Sequence, residues 1–366
     1  MKHTYLLTGY PGFLATNLIK QLVHDHGQKI SHIYVLVLPD LQRKAADEIR
    51  LLAGTSGISP DTFSIVPGDI TKEELGIASD TNRQLKKSIT HVFHLAAIYD
   101  LAVSKELAYK VNVTGTRNMN NWVKKLDSLM RYVYFSTAYV SGTREGKIFE
   151  TELSEGQSFK NHYEETKYDA EILVEDLKPD IPTTILRPGI VRGHSQTGDT
   201  LKFDGIYFLL NMFEALSRLP IIPYIGEGQP EGNFVPYDYV LKASSYLTMH
   251  PAGEGKTYHL TDPNPYTMHD IYTIIAQKYL GKTPKGIIPL AWSKKSLTAT
   301  PLRNWLRVEQ EAMNYFTINA SFDSSMATSD LAGSGIVCPD FIDTLDPMIQ
   351  FYRKYKHDRR KHIAVL

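Results

Sequence analysis

The segment Thr8-Gly9-Tyr10-Pro11-Gly12-Phe13-Leu14-Ala15 decides the fold of this chain. It follows the apolar run 4–7 and opens the stretch 13–26, where leucines recur at helical spacing. A glycine turn between a strand and a helix gathers backbone N–H groups at the positive end of the helix dipole. Such a turn binds pyrophosphate, so the segment predicts a dinucleotide-binding loop.

Each glycine of this loop has an expected task. Gly9 is expected to take a positive φ, and Gly12 to let the backbone approach the pyrophosphate where a side chain would block it. The alternative is an ordinary glycine turn without a ligand. The strand–turn–helix context favours the dinucleotide, and the cofactor-binding residues predicted here are Thr8, Gly9, Tyr10, Pro11, Gly12, Phe13 and Leu14.

Short apolar runs alternate with helical stretches such as 42–52 through the first half of the chain. The strand-like runs are 33–38, 63–66, 92–95, 132–135 and 184–186. Nearly continuous apolar strands separated by helices are typical of a parallel sheet covered on both faces. The sequence therefore predicts an α/β fold with a doubly wound parallel sheet of the Rossmann type.

The regularity fades after residue 193. A polar loop is predicted at 194–204, a helix at 206–219, a strand at 257–260 and a helix at 268–280. We expect a Rossmann domain over 1–262, with a cap insertion near 194–235. Residues 263–366 are expected to form the C-terminal part of a smaller, mostly helical substrate-binding cap.

Composition narrows the class of protein. The 366 residues include 40 Lys plus Arg against 40 Asp plus Glu, so the charge calls for neither nucleic acid nor a membrane surface. The single cysteine, Cys338, excludes an internal disulfide and a cysteine metal site, which indicates a reducing compartment. No apolar run resembles a signal peptide or a membrane span. We expect a cytoplasmic protein without a metal or membrane insertion. The basic segment 353–362 is expected to form a solvated terminal helix followed by a frayed tail.

Tyr163 and Lys167 carry the predicted chemistry. They are four residues apart in a stretch with helical spacing, so both side chains lie on one helix face. An ammonium beside the phenol is expected to lower the tyrosine pKa and to give a proton donor suited to carbonyl or alcohol chemistry. The alternative is a solvated helix face, because this spacing is frequent by chance.

These motifs together resemble the extended short-chain dehydrogenase/reductase superfamily, with Ala15 in place of its third glycine. The resemblance implies that Thr137 polarises a substrate carbonyl, with Ser136 as the neighbouring alternative. Lys167 is implied to bind a cofactor ribose as well. Asn112, in Val111-Asn112-Val113, is implied to support a proton-relay water; bonding to backbone is its other reading, and both are compatible.

Further segments match this superfamily in the expected order. Asp69 and Ile70 resemble the part that contacts adenine, and Leu95, Ala96 and Ala97 the part along which the cofactor backbone passes. A third segment resembles the part beside the nicotinamide, and it consists of Arg187, Pro188, Gly189 and Ile190.

The branch that the chain resembles most is that of fatty acyl-CoA reductases, male-sterility proteins and thioester reductases. The segments that carry this resemblance include Ser136–Val140, 191–198, Phe203-Asp204-Gly205 and 233–240. The branch implies NADPH-dependent reduction of acyl thioesters to aldehydes or alcohols. Leu38 stands where the branch often has an arginine for the 2′-phosphate; Arg43 or Lys44 is the replacement, whereas Asp40 would favour NAD. NADP is the predicted cofactor, with NAD still open.

Other functions remain open at this point. The predicted substrate is a small molecule or an acyl thioester, and a homodimer is possible. The alternatives are an aldehyde or ketone reductase, a nucleotide-sugar epimerase or dehydratase that keeps NAD bound, and a non-catalytic dinucleotide-binding sensor.

Overall fold

The computed structural model describes residues 2–99, 103–308 and 319–362. Residues 1 and 100–102 of the predicted Rossmann domain, and 309–318 and 363–366 of the predicted cap, lie outside the described residues. The strands are β1 (His3–Thr8), β2 (Ile30–Val37), β3 (Phe63–Pro67), β4 (His91–His94), β5 (Arg131–Phe135), β6 (Gly146–Ile148), β7 (Thr183–Pro188), β8 (Ile190–Arg192), β9 (Tyr224–Ile225), β10 (Phe234–Pro236), β11 (Thr257–Leu260), β12 (Ile287–Ile288) and β13 (Ala320–Phe322).

The helices alternate with the strands in the first half and dominate the second half. They are α1 (Phe13–His26), α2 (Gln42–Ser56), α3 (Ser79–Ser88), α4 (Lys105–Ala108), α5 (Gly115–Val123), α6 (His162–Glu175), α7 (Tyr207–Leu216), α8 (Tyr237–Met249), α9 (Met268–Leu280), α10 (Leu290–Ser296), α11 (Thr300–Leu306), α12 (Ser325–Leu331) and α13 (Leu345–Tyr355). A π-helical turn, Tyr109–Thr114, precedes α5.

Seven strands form one parallel sheet in the order β3-β2-β1-β4-β5-β7-β11. This order confirms the predicted doubly wound sheet. The direction in which successive strands are added reverses between β1 and β4. In open α/β sheets a ligand binds outside the carboxyl ends of the strands at such a switch point.

Helices cover both faces of the sheet. On one face, α1, α2 and α8 contribute the buried Leu18, Ile49 and Val240 to a cluster with Tyr5. On the other face, apolar residues of α3, α5 and α6 pack against strand residues such as Leu6. Both faces of the strands are therefore buried, which explains why their sequences read as continuous apolar runs.

Some boundaries extend beyond the predicted ones. The helix 13–26 and the strand 257–260 are confirmed at both ends. Strand β2 begins at Ile30, because Ile30 and His32 already pair with His3 and Thr4 of β1. Helix α2 continues to Ser56 and ends at Gly57, which has a φ of 67°.

The cap has an apolar cluster of its own. Helices α7, α9 and α13 supply its buried side chains, among them Phe213, Ile275 and Tyr352. Helix α7 is shorter than the predicted 206–219, since the chain turns after Leu216. The described part of the predicted cap is thus mostly helical.

The predicted C-terminal cap also includes elements that pack on the Rossmann domain. Strand β13 pairs with β6, and α12 places Ala327 and Leu331 in the cluster below α8. The buried carboxylate of Glu150 accepts hydrogen bonds from the backbone N–H groups of Met326, Ala327 and His259. The chain therefore returns from the cap to the sheet before entering α13.

The basic C-terminal segment is fixed to the cap, so the expectation of a frayed tail is wrong for residues up to 362. Lys361 donates from Nζ to the backbone oxygen of Thr200 at 2.6 Å, and its own backbone oxygen accepts from Phe203 N at 2.7 Å. Lys202 donates to the backbone oxygen of Arg360 at 2.9 Å. These bonds hold residues 358–362 against the segment 200–205.

Candidate functional site

One cleft, of about 850 Å³, opens at the carboxyl ends of the sheet strands. It brings together residues that lie far apart in the sequence. The predicted site residues that line it are 8–14, Leu38, Asp69, Ile70, 95–97, Thr137, Tyr163, Lys167, Pro188, Gly189 and Ile190. Asn112, Arg43 and Arg187 do not line it.

The glycine loop has the geometry that its sequence predicts. Gly9 has a φ of 84°, and an added Cβ there would lie 2.9 Å from the backbone N of Ala96. Gly12 precedes the first turn of α1 and donates to the oxygen of Gly9 at 2.8 Å. A Cβ on Gly12 would lie 2.5 Å from that oxygen, so the turn itself requires glycine.

Thr8 fastens this loop to the neighbouring strand end. Its hydroxyl accepts hydrogen bonds from the backbone N–H groups of Leu95 and Ala96 at 3.2 and 3.1 Å. It therefore donates to Nδ1 of His94, at 2.8 Å. Burial lowers the pKa of His94 to about 3, so this imidazole is neutral and its other nitrogen faces Thr116.

The other end of the cleft lies at β2 and β3. Asp69 lines it and accepts from the backbone N and the hydroxyl of Thr71 at 2.9 and 2.8 Å. Leu38 and Lys44 line the cleft as well, whereas Asp40 and Arg43 do not. Of the two predicted replacements for the branch arginine, only Lys44 lies at the cleft.

Thr137 and Tyr163 both line the cleft. The phenol of Tyr163 is influenced by the neighbouring Thr137 side chain, and its ring contacts the ring of Tyr99 edge-on at 5.1 Å. The hydroxyl of Ser136, which also lines the cleft, instead donates to the buried carboxylate of Glu171. This distinction supports Thr137 over Ser136 as the residue beside a substrate carbonyl.

Lys167 has a different neighbour from the expected one. Its Nζ donates to the Tyr134 hydroxyl at 2.8 Å and to the backbone oxygen of Phe135 at 2.7 Å. Burial lowers the pKa of Lys167 to about 7, while Glu171 acts in the opposite direction. Burial also raises the pKa of Tyr163, so the expected lowering by Lys167 is absent from this structure.

Asn112 and Arg187 support the site from outside the cleft. Asn112 accepts from Ile98 N at 2.9 Å and donates to the Thr166 hydroxyl at 3.0 Å, joining a loop of the cleft to α6. Arg187 is buried and pairs with Glu171, with Nε at 2.7 Å and Nη2 at 2.6 Å from Oε1. The guanidinium of Arg187 is thus held by Glu171 of α6, and Arg187 does not line the cleft.

One wall of the cleft was not predicted from the sequence. The segment 200–205 lines it with Thr200, Leu201, Lys202, Asp204 and Gly205. The segment Phe203-Asp204-Gly205 was noted only because it resembles the reductase branch, and no place in the cleft was predicted for Asp204 or Gly205. Tyr134, the partner of Lys167, was also missed, because a tyrosine within an apolar strand run carries no separate signal.

The cleft fits a nicotinamide dinucleotide. A loop that only glycine fits meets the N-terminus of the 14-residue helix α1, where an anion is stabilised by free N–H groups. The small Ala96 and Ala97 and the apolar Ile70 continue the path on either side. Lys167 and the Tyr163 hydroxyl then lie at the end where the nicotinamide chemistry is expected.

Within 2–99, 103–308 and 319–362, no helix has the length and apolar character to cross a membrane. In the same ranges, no three or more His, Cys, Asp or Glu side chains group in a way that suits a metal ion.

Known proteins resemble this chain at a low identity. Glycine betaine reductase ATRR of Emericella nidulans is 28% identical over 308 residues, which cover 79% of this chain and 23% of that protein. The putative fatty acyl-CoA reductase CG8303 of Drosophila melanogaster is 25% identical over 346 residues, covering 82% of this chain and 62% of that protein. The chain spans about a quarter of the length of several curated relatives that it matches.

A solved structure and a family model complete the comparison. The terminal R domain of the myxalamid PKS-NRPS pathway superposes with a TM-score of 0.80 at 24% identity, covering 99% of this chain and 93% of that one. The family described as male sterility protein matches residues 7–244. The chain therefore belongs to the male sterility protein family and has the extended short-chain dehydrogenase/reductase fold, as its motifs predicted.

Proposed function

We propose that this chain is an NADPH-dependent reductase of carbonyl compounds, with acyl thioesters as the main substrate class. The observation that carries the proposal is that Thr137, Tyr163 and Lys167 line the same cleft as the glycine loop. Similarity to a fatty acyl-CoA reductase and to a glycine betaine reductase supports it.

The side chains suggest a division of tasks. A dinucleotide held by the glycine loop and Lys167 would supply the hydride for the carbonyl carbon. The hydroxyls of Thr137 and Tyr163 donate hydrogen bonds to the carbonyl oxygen as it gains negative charge. Tyr163 then gives its proton to that oxygen, and Lys167 lies one helical turn away to stabilise the resulting phenolate. With a thioester, the product of this step is a hemithioacetal, which collapses to an aldehyde and a thiol.

The choice of NADP rests on Lys44. Lys44 and Leu38 both line the cleft at the end where the 2′-phosphate of NADP would bind. The contact of Lys44 with Glu48 is long, at 3.8 Å, so a phosphate can compete for this lysine. Asp40, which would favour NAD, does not line the cleft.

The test uses Tyr163→Phe with Tyr168→Phe as the matched control. Tyr168 lies on the same helix and donates to Ser154 away from the cleft. We expect Tyr163→Phe to lower kcat by about 10²-fold or more, the usual size of an acid–base contribution, with little change in NADPH binding. The readout is nicotinamide absorbance with acyl-CoA and aldehyde panels and either NADPH or NADH.

Each other outcome points to a specific alternative. Full turnover by Tyr163→Phe would refute the proposed chemistry. Oxidation with aldehydes alone would keep a reductase and discard thioesters. NAD that copurifies and is never consumed would favour an epimerase or dehydratase, and binding without turnover a sensor. The cytoplasmic location and the homodimer stay predictions, and light scattering of the purified protein tests the homodimer.

A further inference from the structure

Asp204 is a carboxylate in the wall of the cleft that the proposed chemistry does not use. It lies in the segment 200–205, which lines the same cleft as Thr137 and Tyr163. A Cβ on the next residue, Gly205, would lie 2.9 Å from Cγ2 of Ile190. The segment therefore packs beside Ile190, which belongs to the part of the chain that is expected to lie beside the nicotinamide.

Asp204 has no side-chain partner among the described residues. The carboxylate interacts with its own backbone N–H and is attracted by Lys202 at a distance too long for an ion pair. Lys202 is exposed and gives its hydrogen bond to the backbone oxygen of Arg360. Burial raises the pKa of Asp204 to about 6, so the group is mainly ionised at neutral pH.

Among the described residues, none of the other cations that line the cleft forms an ion pair with Asp204. Lys44 is near Glu48, and Lys167 donates to Tyr134 and to a backbone oxygen. Arg192 is buried, donates to the hydroxyl of Thr344 and stacks over the ring of Phe341 at 5.2 Å. In the part of the chain that the structure describes, the cleft thus holds a negative charge that no protein cation pairs with.

The surroundings of Asp204 make this charge costly. Other residues that line the cleft include the apolar Leu107, Val111, Ile190 and Leu201. A partly buried carboxylate in such a setting loses hydration without gaining a partner. A positively charged ligand group would restore the balance, and the low local dielectric would strengthen its attraction.

We propose that Asp204 binds a cationic nitrogen of the substrate, so that the preferred carbonyl compounds carry an ammonium group close to the carbonyl. This inference rests on the proposed function and deepens it by naming a substrate class. An amino-substituted thioester or aldehyde places its carbonyl at Thr137 and Tyr163 and its ammonium at Asp204. Asp204 is a specificity residue in this account, and it takes no part in the proton transfer.

The test compares two aldehydes of nearly the same shape. Betaine aldehyde carries a trimethylammonium group, and 3,3-dimethylbutanal carries a neutral tert-butyl group in its place. We expect the ratio of kcat/KM for the charged over the neutral aldehyde to fall by about tenfold or more in Asp204→Asn. The control is Asp199→Asn, which removes the same charge from an exposed residue of the same loop outside the cleft.

A binding measurement makes the result independent of turnover. Choline and 3,3-dimethylbutan-1-ol form the same matched pair as alcohols, and their dissociation constants are measured by calorimetry with the dinucleotide added. Tighter binding of choline that is lost in Asp204→Asn and kept in Asp199→Asn supports the inference even if no carbonyl is reduced. Choline binding that depends on Asp204, without reduction of any carbonyl, would refute the proposed reductase but not the cation site at Asp204.

Two outcomes would overturn the inference. An unchanged charged-over-neutral ratio in Asp204→Asn, together with reduction of the neutral aldehyde, would leave the reductase in place without this subsite. Weaker NADPH binding in Asp204→Asn, with no change in substrate preference, would assign the carboxylate to the cofactor instead.

Discussion

Replacing Lys167 with methionine should remove a specific pH dependence from the stability of the protein. Burial lowers the pKa of Lys167 from 10.5 to about 7, and the side chain is 3% exposed. Between these two values the unfolded chain holds a proton on this amine that the folded chain has released. The free energy of unfolding therefore rises with pH in this range, by about 1.4 kcal/mol per pH unit.

The expected size follows from the two pKa values. Between pH 7.5 and 9.5, the contribution of Lys167 to the free energy of unfolding increases by roughly 2 to 3 kcal/mol. Lys167→Met cannot titrate and lacks this increase. All other groups titrate in both proteins, so the difference between wild type and variant isolates Lys167.

The assay is urea unfolding at 25 °C of protein to which no dinucleotide has been added, at pH 7.5, 8.5 and 9.5. Lys178→Met is the control for loss of a lysine, since Lys178 lies just after α6 and bonds to Glu175 near the surface. A difference between wild type and Lys167→Met that stays constant over the three pH values would refute the reasoning. It would mean that the buried amine keeps its proton through the whole range.

Two substitutions test the loop and the buried ion pair. Gly12→Ala places a Cβ 2.5 Å from the oxygen of Gly9, so we expect NADPH binding, measured by nicotinamide fluorescence, to weaken by about 100-fold or more. Gly54→Ala is the control, because its Cβ meets nothing within 4 Å and should leave the affinity unchanged. Equal affinities of the two variants would contradict the requirement for glycine at position 12. Glu171→Gln leaves the guanidinium of the buried Arg187 without a counter-charge, and we expect the free energy of unfolding in urea to fall by about 3 kcal/mol. Glu165→Gln removes a carboxylate that pairs with the exposed Lys105 and should change stability little; a similar small loss in Glu171→Gln would argue against the ion pair.

The sheet could be predicted because its strands are buried on both faces. Each strand then reads as a short apolar run, and the helices between them show their own period, as Leu18 and Leu22 do in α1. Strand β13 and helix α12 escaped prediction, since three and seven residues are too few to show a period. Their place beside the sheet depends on Glu150, which is more than 170 residues away from Met326 and Ala327.

The candidate site was predictable where local geometry dictates the residue. Gly9 needs its positive φ, and Tyr163 and Lys167 share a helix face by spacing alone. The partner of Lys167 could not be predicted, because Tyr134 lies on a strand 33 residues earlier and only the packed fold joins them. Arg187 was assigned to the cofactor on resemblance, yet Glu171 binds it from the neighbouring helix.

The bonds between residues 358–362 and the segment 200–205 impose an order on biosynthesis. All seven strands of the main sheet are complete once Leu260 has been added, and the glycine loop is made far earlier. The wall that holds Asp204 gains its support from Lys361 only about a hundred residues later. On the ribosome, the half of the cleft that receives the dinucleotide can therefore form before residues 358–362 make the hydrogen bonds that fix the half that selects the substrate.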